Sequence, residues 1–279
     1  MSYHIAVDSC TDLLPEMKED SRICRVPLTL IVGEHQIIDD ETFDQKDFLD
    51  RVAKSPVGPS SACPSPHAFM EAFGDDDEDA FGITLSAELS GSYNSAMLGA
   101  RELQKQRPDK KIYVFNSRSA CCGQTLILMC LRDCLEAGMS FKETVETVEK
   151  YISEQTTLFV LESLEHLRKN GRLTHLESVL VNALNIKPVM SSTPEGNIQK
   201  VGMGRGIKKG LVKMIDHVGK TAIHPELKRL AISHCNCAER AAWVKAQIAA
   251  RYPFKSIVVV DTSGVGSLYA GDGGIVMAY

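Results

Sequence analysis

Serine-rich segments that directly follow predicted strands are the first candidates for chemistry in this chain. Asp8–Asp12, Leu85–Ser92 and Asn116–Cys122 each come after a short apolar run. Hydroxyl groups and the backbone N–H groups at a helix N-terminus suit a carboxylate or a phosphate, because the unpaired donors and the helix dipole point at such an anion. The same residues are equally typical of helix N-caps and turns, so both interpretations stay open.

A further hydroxyl-bearing segment is the proline-rich stretch Gly58–Pro66. Its proline density excludes a helix and a central strand, which predicts an ordered loop or part of a cleft wall. Ser60 and Ser61 on this loop, together with Ser90 and Ser92 around a glycine, are predicted to converge on one small anion.

Three other motifs are incomplete. Val218–Thr221 ends like a phosphate-binding loop, but Met214 occupies the position of its first glycine. Gly202–Gly206 lacks the last glycine of a dinucleotide fingerprint, because Ile207 stands there. His234–Cys237 offers soft metal ligands without a second cluster to complete four. With no G-x-S-x-G elbow either, the sequence predicts no catalytic residue, no metal and no cofactor.

Three arginines offer a different chemistry. Arg118, Arg172 and Arg205 are candidate anion clamps, since a guanidinium pairs well with carboxylate and phosphate oxygens. They motivate an alternative function, an enzyme acting on a small phosphorylated or carboxylated metabolite. Surface or interdomain ion pairs explain the same residues without any ligand.

The elements that position these residues alternate in residues 1–155. Such alternation predicts a mostly parallel sheet with helices on both faces, and ligands of such sheets bind beyond the carboxyl ends of the strands. The predicted strands are His4–Val7, Cys24–Val32, Gly82–Leu85 and Lys111–Phe115, and the predicted helices are His67–Phe73, Gly91–Gln106, a long helix ending at Leu135, and 141–154 behind the capping box of Ser140 and Glu143.

Residues 156–279 follow another pattern, which predicts a second α/β domain with a mixed or antiparallel sheet. Leu161–Asn185 is predicted to form two helices separated at Asn170-Gly171. The chain closes with a glycine turn into a last strand. The other predicted elements are the strand Thr157–Val160, the hairpin of Lys187–Ser191 and Asn197–Met203, the helices Ile207–Val218 and Glu239–Arg251, and the strands Arg229–His234 and Ser256–Asp261.

Composition narrows the class of protein. The 279 residues suggest about two domains, and the net charge of −5 argues against a nucleic-acid binder. Nine cysteines at irregular spacing do not suit a disulfide scaffold, so we expect reduced, mostly buried thiols and a cytoplasmic location. The apolar runs are shorter than a membrane span requires.

Six segments in this order resemble the DegV family of bacterial fatty-acid-binding proteins. The resemblance runs nearly end to end, and the order of the segments makes it specific. They are Ala6–Leu13, Pro59–Pro66, Ile83–Ala96, Val114–Gln124, Leu161–Leu173 and Asn185–Met190.

The resemblance implies two α/β domains that hold a long-chain fatty acid between them, with residues 156–279 contributing the lipid tunnel and the closing turn. It further implies a carrier rather than an enzyme, which in some members presents the acyl group to a separate fatty acid kinase subunit. The residues at positions matching the family's ligand-binding pattern are Ser61, Ser90, Ser92, Arg172 and Arg205, with Ser60 beside them.

Three positions depart from the family pattern. Ala62-Cys63 replaces Ser-Gln, and Asp272 stands between the closing glycines where proline is usual. Tyr269 occupies the position of a histidine that lies near the ligand carboxylate. A tyrosine hydroxyl still donates one hydrogen bond, but it cannot become a cation near neutral pH.

Overall fold

The computed structural model describes residues 3–76, 79–173 and 185–279. Its first sheet is fully parallel, with the strand order β2-β1-β6-β7. Because side chains alternate along a strand, Ile5 and Val7 face one side of this sheet and Ala6 faces the other. The four strands are β1 (Tyr3–Asp8), β2 (Ile23–Val26), β6 (Asp79–Thr84) and β7 (Ile112–Asn116).

Helices cover both faces of this sheet, as predicted. The helices α3 (Pro66–Ala72) and α4 (Ser92–Gln106) pack on the Ala6 face, and α5 (Cys122–Glu136) and α6 (Phe141–Glu154) pack on the opposite face. The predicted capping box begins α6. Two shorter helices, α1 (Pro15–Lys18) and α2 (Gln45–Lys54), precede them in the chain.

A small antiparallel sheet, which the sequence did not predict, lies beside the first one. It consists of β3 (Thr29–Val32), β4 (His35–Ile38) and β5 (Ser60–Ala62), in the order β4-β3-β5. The predicted strand Cys24–Val32 therefore divides between two sheets. The proline-rich loop contains the edge strand β5, because prolines flank its three residues without interrupting them.

The second sheet is mixed, as expected, with the strand order β10-β9-β8-β13-β11-β12. Only β11 and β12 run parallel among its described pairs. Its strands are β8 (Thr157–Val160), β9 (Ile186–Ser192), β10 (Ile198–Arg205), β11 (Arg229–His234), β12 (Ser256–Asp261) and β13 (Ile275–Ala278).

Helices of the second half pack on this sheet or close its end. One face carries α8 and α9 over a core that includes Leu230 and Met277. The helix α10 was not predicted from the sequence, and the second helix expected within Leu161–Asn185 lies outside the described residues. The helices are α7 (Glu165–Lys169), α8 (Ile207–Thr221), α9 (Ala238–Ala249) and α10 (Gly264–Ala270), with a 3-10 turn at Pro225–Leu227.

The helix α5 lies between the two large sheets and joins them. Its Ile127 and Leu128 pack in the core of the first sheet, and its Leu126 packs with Ala231 and Val276 of the second sheet. A helix that is apolar on nearly all sides suits such a doubly buried position. The interior space between the two halves therefore adjoins the start of α5.

Every helix among the described residues is too short or too polar to cross a bilayer. All nine cysteines are free thiols, and Cys24 and Cys63 are exposed.

Candidate functional site

A cavity lies between the two sheets, and the empty space in it, including the part open to solvent, amounts to about 750 Å³. Its wall comes from both halves of the chain and its surface is mostly apolar. The apolar side chains in this wall include Leu85, Leu89, Phe159, Leu161, Leu167, Ile198, Val265 and Val276.

Two polar side chains of the wall, Tyr269 and Arg172, lie close together, and Ser61, which is not itself a wall residue, contacts Tyr269 from outside the wall. The Ser61 hydroxyl on β5 lies 3.1 Å from the Tyr269 hydroxyl on α10, and either group can be the donor. The Arg172 guanidinium lies 5.6 Å from the centre of the Tyr269 ring, within reach of a cation–π contact. Arg172 and Tyr269 both line the cavity. The two hydroxyls and the guanidinium are therefore available to one anionic group.

Backbone contacts fix Arg172 in place. Its Nε donates to the carbonyl of Leu89 over 3.1 Å, and a second guanidinium nitrogen donates to the carbonyl of Asn170. Asn170 in turn donates to the carbonyl of Pro59 over 2.9 Å. The structure thus brings together the proline-rich segment, the turn after β6 and the residues after α7, three segments that the sequence analysis singled out separately.

Ser90 and Ser92 lie in the turn next to this cluster, but neither lines the cavity. Their hydroxyl oxygens are 3.1 Å apart, and the fully buried Ser92 hydroxyl also bonds the carboxylate of Asp8. Burial raises the pKa of Asp8 to about 6, although hydrogen bonds from Gln124 and from the Leu85 amide act to lower it. The hydroxyls of these serines therefore form hydrogen bonds that stabilise the turn and are not part of the cavity wall.

Ser60 and Arg205 stand apart from the wall. Ser60 is half-buried on β5 and pairs with Ile31 on the neighbouring strand. Arg205 is exposed at the end of β10, seven residues beyond the cavity-lining Ile198. Arg205 is therefore not part of the wall that Arg172 and Tyr269 line. Arg118 does line the cavity, with its backbone in the left-handed region at φ 50°.

Two buried carboxylates that are not among the predicted site residues, Asp12 and Asp39, fix α10 and therefore Tyr269. Asp39 accepts the backbone N–H groups of Gly264 and Val265, each over 2.9 Å, and so satisfies the unpaired donors of the first helical turn. Asp12 accepts the Ser263 N–H over 2.7 Å and the Ser233 hydroxyl over 2.5 Å. The first half of the chain thus holds the element that presents Tyr269.

The charge of Asp12 is costly to bury. Desolvation raises its pKa to about 6, although hydrogen bonds from Ser233 and Ser263 act in the opposite direction. The closing turn also carries a carboxylate, that of Asp272. It accepts a hydrogen bond from the Asn236 side chain over 3.0 Å and is not part of the cavity wall. Among the described residues, no group of three or more potential ligands could hold a metal ion.

Comparison with known proteins accounts for the whole chain. A family model described as an uncharacterised protein of the DegV family matches residues 2–279. A DegV domain-containing protein of Streptococcus pyogenes serotype M18 is 32% identical over 281 residues, which cover 100% of this chain and 99% of that protein.

Solved structures of similar proteins contain fatty acids. A DegV-family protein of Ruminococcus gnavus with vaccenic acid is 48% identical, with a TM-score of 0.97 and full coverage of both chains. The Fak B3 protein of the Streptococcus pneumoniae fatty acid kinase, loaded with linoleic acid, is 31% identical, with a TM-score of 0.91 and coverage of 100% of this chain and 99% of that one.

A DegV-family protein of Eubacterium eligens loaded with heptadecanoic acid is 29% identical, with a TM-score of 0.90 and 99% coverage of each chain. Both the family model and these relatives match essentially from end to end, so the chain belongs to the DegV family.

Proposed function

We propose that this protein binds a long-chain fatty acid non-covalently in the cavity between its two α/β domains, and acts as a carrier rather than an enzyme. The observation that carries the proposal is a mostly apolar cavity with Tyr269 and Arg172 in its wall and the Ser61 hydroxyl 3.1 Å from that of Tyr269. The vaccenic, linoleic and heptadecanoic acids in related structures support it. We place the domain division at residue 155, between the strands of the two large sheets.

The energetics favour such a ligand. At about 0.8 kcal/mol per buried methylene, a C16 chain contributes on the order of 12 kcal/mol before ordering costs are subtracted. The carboxylate then needs only enough hydrogen bonds to replace those it made with water, because burying it without partners is the largest free-energy cost of binding. No nucleophile, base or metal is needed for this function.

In the proposed site, the two hydroxyls and the guanidinium stabilise the carboxylate in different ways. Two hydroxyls that bond each other leave one hydroxyl hydrogen free, so the Ser61 and Tyr269 pair donates to a carboxylate oxygen without first breaking apart. Arg172 supplies the positive charge that compensates the anion. In this proposal Ser60, Ser90 and Ser92 hold the shape of the surrounding strand and turn, and Arg205 lies outside the lipid site.

We further propose a cytoplasmic carrier that presents the carboxylate to a kinase subunit. The support is the likeness to Fak B3 of the Streptococcus pneumoniae fatty acid kinase. Because position 269 is a tyrosine, the carboxylate would meet a neutral hydroxyl donor there, and Arg172 would be the nearby cation. Acyl phosphate formation on this protein when mixed with a bacterial fatty acid kinase and ATP tests this step separately from binding.

The alternative, an enzyme for a small phosphorylated or carboxylated metabolite, calls for a short basic pocket. The mostly aliphatic wall favours a lipid instead, because a small polar molecule would leave that wall unused.

Mass spectrometry of an organic extract tests the binding proposal. Protein purified from bacterial cells should release a stoichiometric long-chain fatty acid, and delipidated protein should gain thermal stability when palmitate or oleate is added, because a ligand that binds only the folded state stabilises it. A protein that purifies without lipid and shows no stabilisation by either acid would contradict the proposal.

A further inference from the structure

Two thiols face the cavity side by side. Cys10, in the loop after β1, and Cys121, at the start of α5, both belong to its wall. They are almost fully buried from solvent, with 1% and 4% of their surfaces exposed, and they pack in the same apolar cluster, close enough for each thiol to affect the pKa of the other. A molecule inside the cavity therefore reaches this pair more readily than a molecule in bulk solvent does.

The backbone presents Cys121 in a strained conformation. Its φ of 54° and ψ of −129° are rare for a residue with a side chain, and strain of this kind concentrates at functional positions. Cys121 lies in the turn between β7 and α5. Ser119 stands two residues before it and Gly123 two residues after it. A Cβ atom on Gly123 would lie 1.9 Å from the Ser119 hydroxyl oxygen, so this turn requires small residues.

Many hydrolases likewise expose a reactive side chain on a sharp turn between a strand and a helix, and here such a turn presents the resolving thiol of Cys121 to the cavity. On the facing helix, Gly266 provides room for the thiol, because a Cβ atom there would lie 3.1 Å from the Cys121 sulfur. Gly266 stands three residues before Tyr269 on α10, about one helical turn away. A fatty acid with its carboxylate at Tyr269 would therefore run its chain past the thiol pair.

We propose that Cys10 and Cys121 form a redox pair that reduces the hydroperoxide of an unsaturated fatty acid held in the cavity, and that they become a disulfide in the process. This activity rests on the proposed function, since the oxidant arrives as the bound ligand. The substrate class is a fatty acid hydroperoxide, the product of oxygen attack on an unsaturated chain.

The reaction balances without any further reactant. The sulfur of Cys10 attacks the terminal oxygen of the hydroperoxide, the O–O bond breaks, and the alkoxide takes the thiol proton to become an alcohol. The sulfur of Cys121 then attacks the sulfenic acid on Cys10, so that an S–S bond forms and water leaves. In total two thiols lose two electrons and two protons, and one hydroperoxide becomes one hydroxy fatty acid and one water.

The contacts decide which thiol attacks. The hydrogen bond from Cys121 favours the Cys10 thiolate, whereas burial and the nearby carboxylates of Asp8 and Asp12 oppose it, so that the pKa of Cys10 is still raised. The hydrogen bond with Cys10, burial and the charge of Asp12 raise the pKa of Cys121 well above its ordinary value. Cys10 is therefore the first of the two to ionise, and Cys121 resolves the intermediate.

The test compares two oxidants on the full-length reduced protein. Delipidated protein receives an equimolar amount of either linoleic acid hydroperoxide or hydrogen peroxide. Intact-mass and non-reducing peptide analysis then follow the loss of about 2 Da and the Cys10–Cys121 linkage. We expect the lipid hydroperoxide to act at least roughly tenfold faster, because binding raises its local concentration at the thiols. Prior loading with palmitate should protect the pair.

Variants and product analysis sharpen the result. Cys10→Ser should abolish formation of hydroxy fatty acid beyond the uncatalysed background. Cys121→Ser should still form one hydroxy fatty acid but leave Cys10 as a sulfenic acid, with no disulfide. Cys24→Ser and Cys63→Ser, which change exposed thiols, should alter neither product. One hydroxy fatty acid per disulfide is the expected yield in the unaltered protein, a readout that does not depend on the folding of any variant.

The outcomes separate the two proposals. Protein that binds linoleic acid, yet forms no Cys10–Cys121 disulfide or forms it equally fast when palmitate fills the cavity, would overturn the redox proposal and leave fatty acid binding intact. Protein that binds neither linoleic acid nor palmitate would overturn both.

Discussion

The hydroxyl oxygens of Ser61 and Tyr269 lie 3.1 Å apart, although 208 residues separate them along the chain. Ser61 belongs to the edge strand β5 and Tyr269 to α10, so the pair crosses from one half of the protein to the other. A carboxylate bound there would be held by both halves at once. In the proposed function, ligand binding would therefore stabilise the association of the two halves of the chain.

Removing either hydroxyl should weaken fatty acid binding without changing the fold. A hydrogen bond to a charged group contributes about 1.5–3 kcal/mol, so Ser61→Ala and Tyr269→Phe should each raise the Kd roughly 10- to 100-fold. Titration calorimetry with oleate measures the effect. Ser153→Ala and Tyr93→Phe, which alter residues away from the cavity wall, are the matched controls. Equal affinities in the control and test variants would contradict the assigned carboxylate position.

Tyr269→Phe and Tyr269→His separate hydrogen bonding from charge. An imidazole ordinarily ionises near pH 6.5, and the guanidinium of Arg172 beside it should shift that ionisation to lower pH. We therefore expect Tyr269→His to bind oleate several-fold more tightly as the pH falls through about 6, where the cation forms. Fluorescence titration across this range checks the change. A slope no steeper than that of Tyr269→Phe would show that position 269 does not approach the carboxylate.

The sequence contains enough information to predict the parallel sheet and the edge of it that carries the serine-rich segments. The serine-rich segments follow β1, β6 and β7, which are adjacent in the first sheet, so a local pattern was sufficient. Arg205 shows the limit of such patterns. Its residue type and position in the chain suggested an anion clamp, but the structure places it exposed at the end of β10 and outside the cavity wall.

The helix α10 could not be predicted, because it is short and glycine-rich and lacks an amphipathic repeat. Its start is fixed by Asp39, which lies 225 residues earlier in the chain. The backbone conformation of Cys121 could not be predicted for a similar reason. Its turn uses Ser119 and Gly123 where the familiar motif has two glycines, and only the backbone angles reveal the conformation. Long-range partners and backbone conformation are what local patterns cannot supply.

Filling the cavity should change the preferred chain length. Ala120 belongs to the wall, so Ala120→Phe should place a ring in the space for the acyl chain. Each methylene that no longer fits costs about 0.8 kcal/mol, or roughly fourfold in affinity, so stearate should lose more affinity than laurate. A series of saturated acids measured by thermal shift checks this. Ala53→Phe, on the exposed surface of α2, should leave the series unchanged. Parallel losses for all chain lengths would argue against a linear chain passing Ala120.

The turn at Cys121 should tolerate no Cβ atom at position 123. Gly123→Ala places that atom 1.9 Å from the Ser119 hydroxyl oxygen, and we expect a loss of about 2–4 kcal/mol in the free energy of unfolding. Urea denaturation measures it. Adding Ser119→Gly removes the clashing side chain and should recover a large part of the loss, which a double-mutant cycle would detect. Gly58→Ala, which meets its nearest atom at an ordinary 3.4 Å, is the control. Additive losses in the double variant would refute the proposed clash.

The buried carboxylate of Asp12 should make the protein less stable as the pH rises from 4 to 7. Burial raises its pKa from 3.8 to about 6, so the folded protein binds more protons than the unfolded chain between these values. Stability therefore falls with increasing pH across that window, by on the order of 3 kcal/mol for this group, and is favoured below it.

Asp12→Asn imitates the protonated state, since the amide can accept from the Ser263 N–H and donate to the Ser233 hydroxyl. The free energy of unfolding of the unaltered protein, minus that of the variant, should decrease between about pH 4 and pH 7, as followed by urea denaturation. Asp50→Asn, which changes an exposed carboxylate on α2, should give a difference that varies far less. A difference for Asp12→Asn that grows with pH would mean that the folded protein favours the charged carboxylate, because ionised Asp12 would then gain more from its hydrogen bonds than it loses in desolvation.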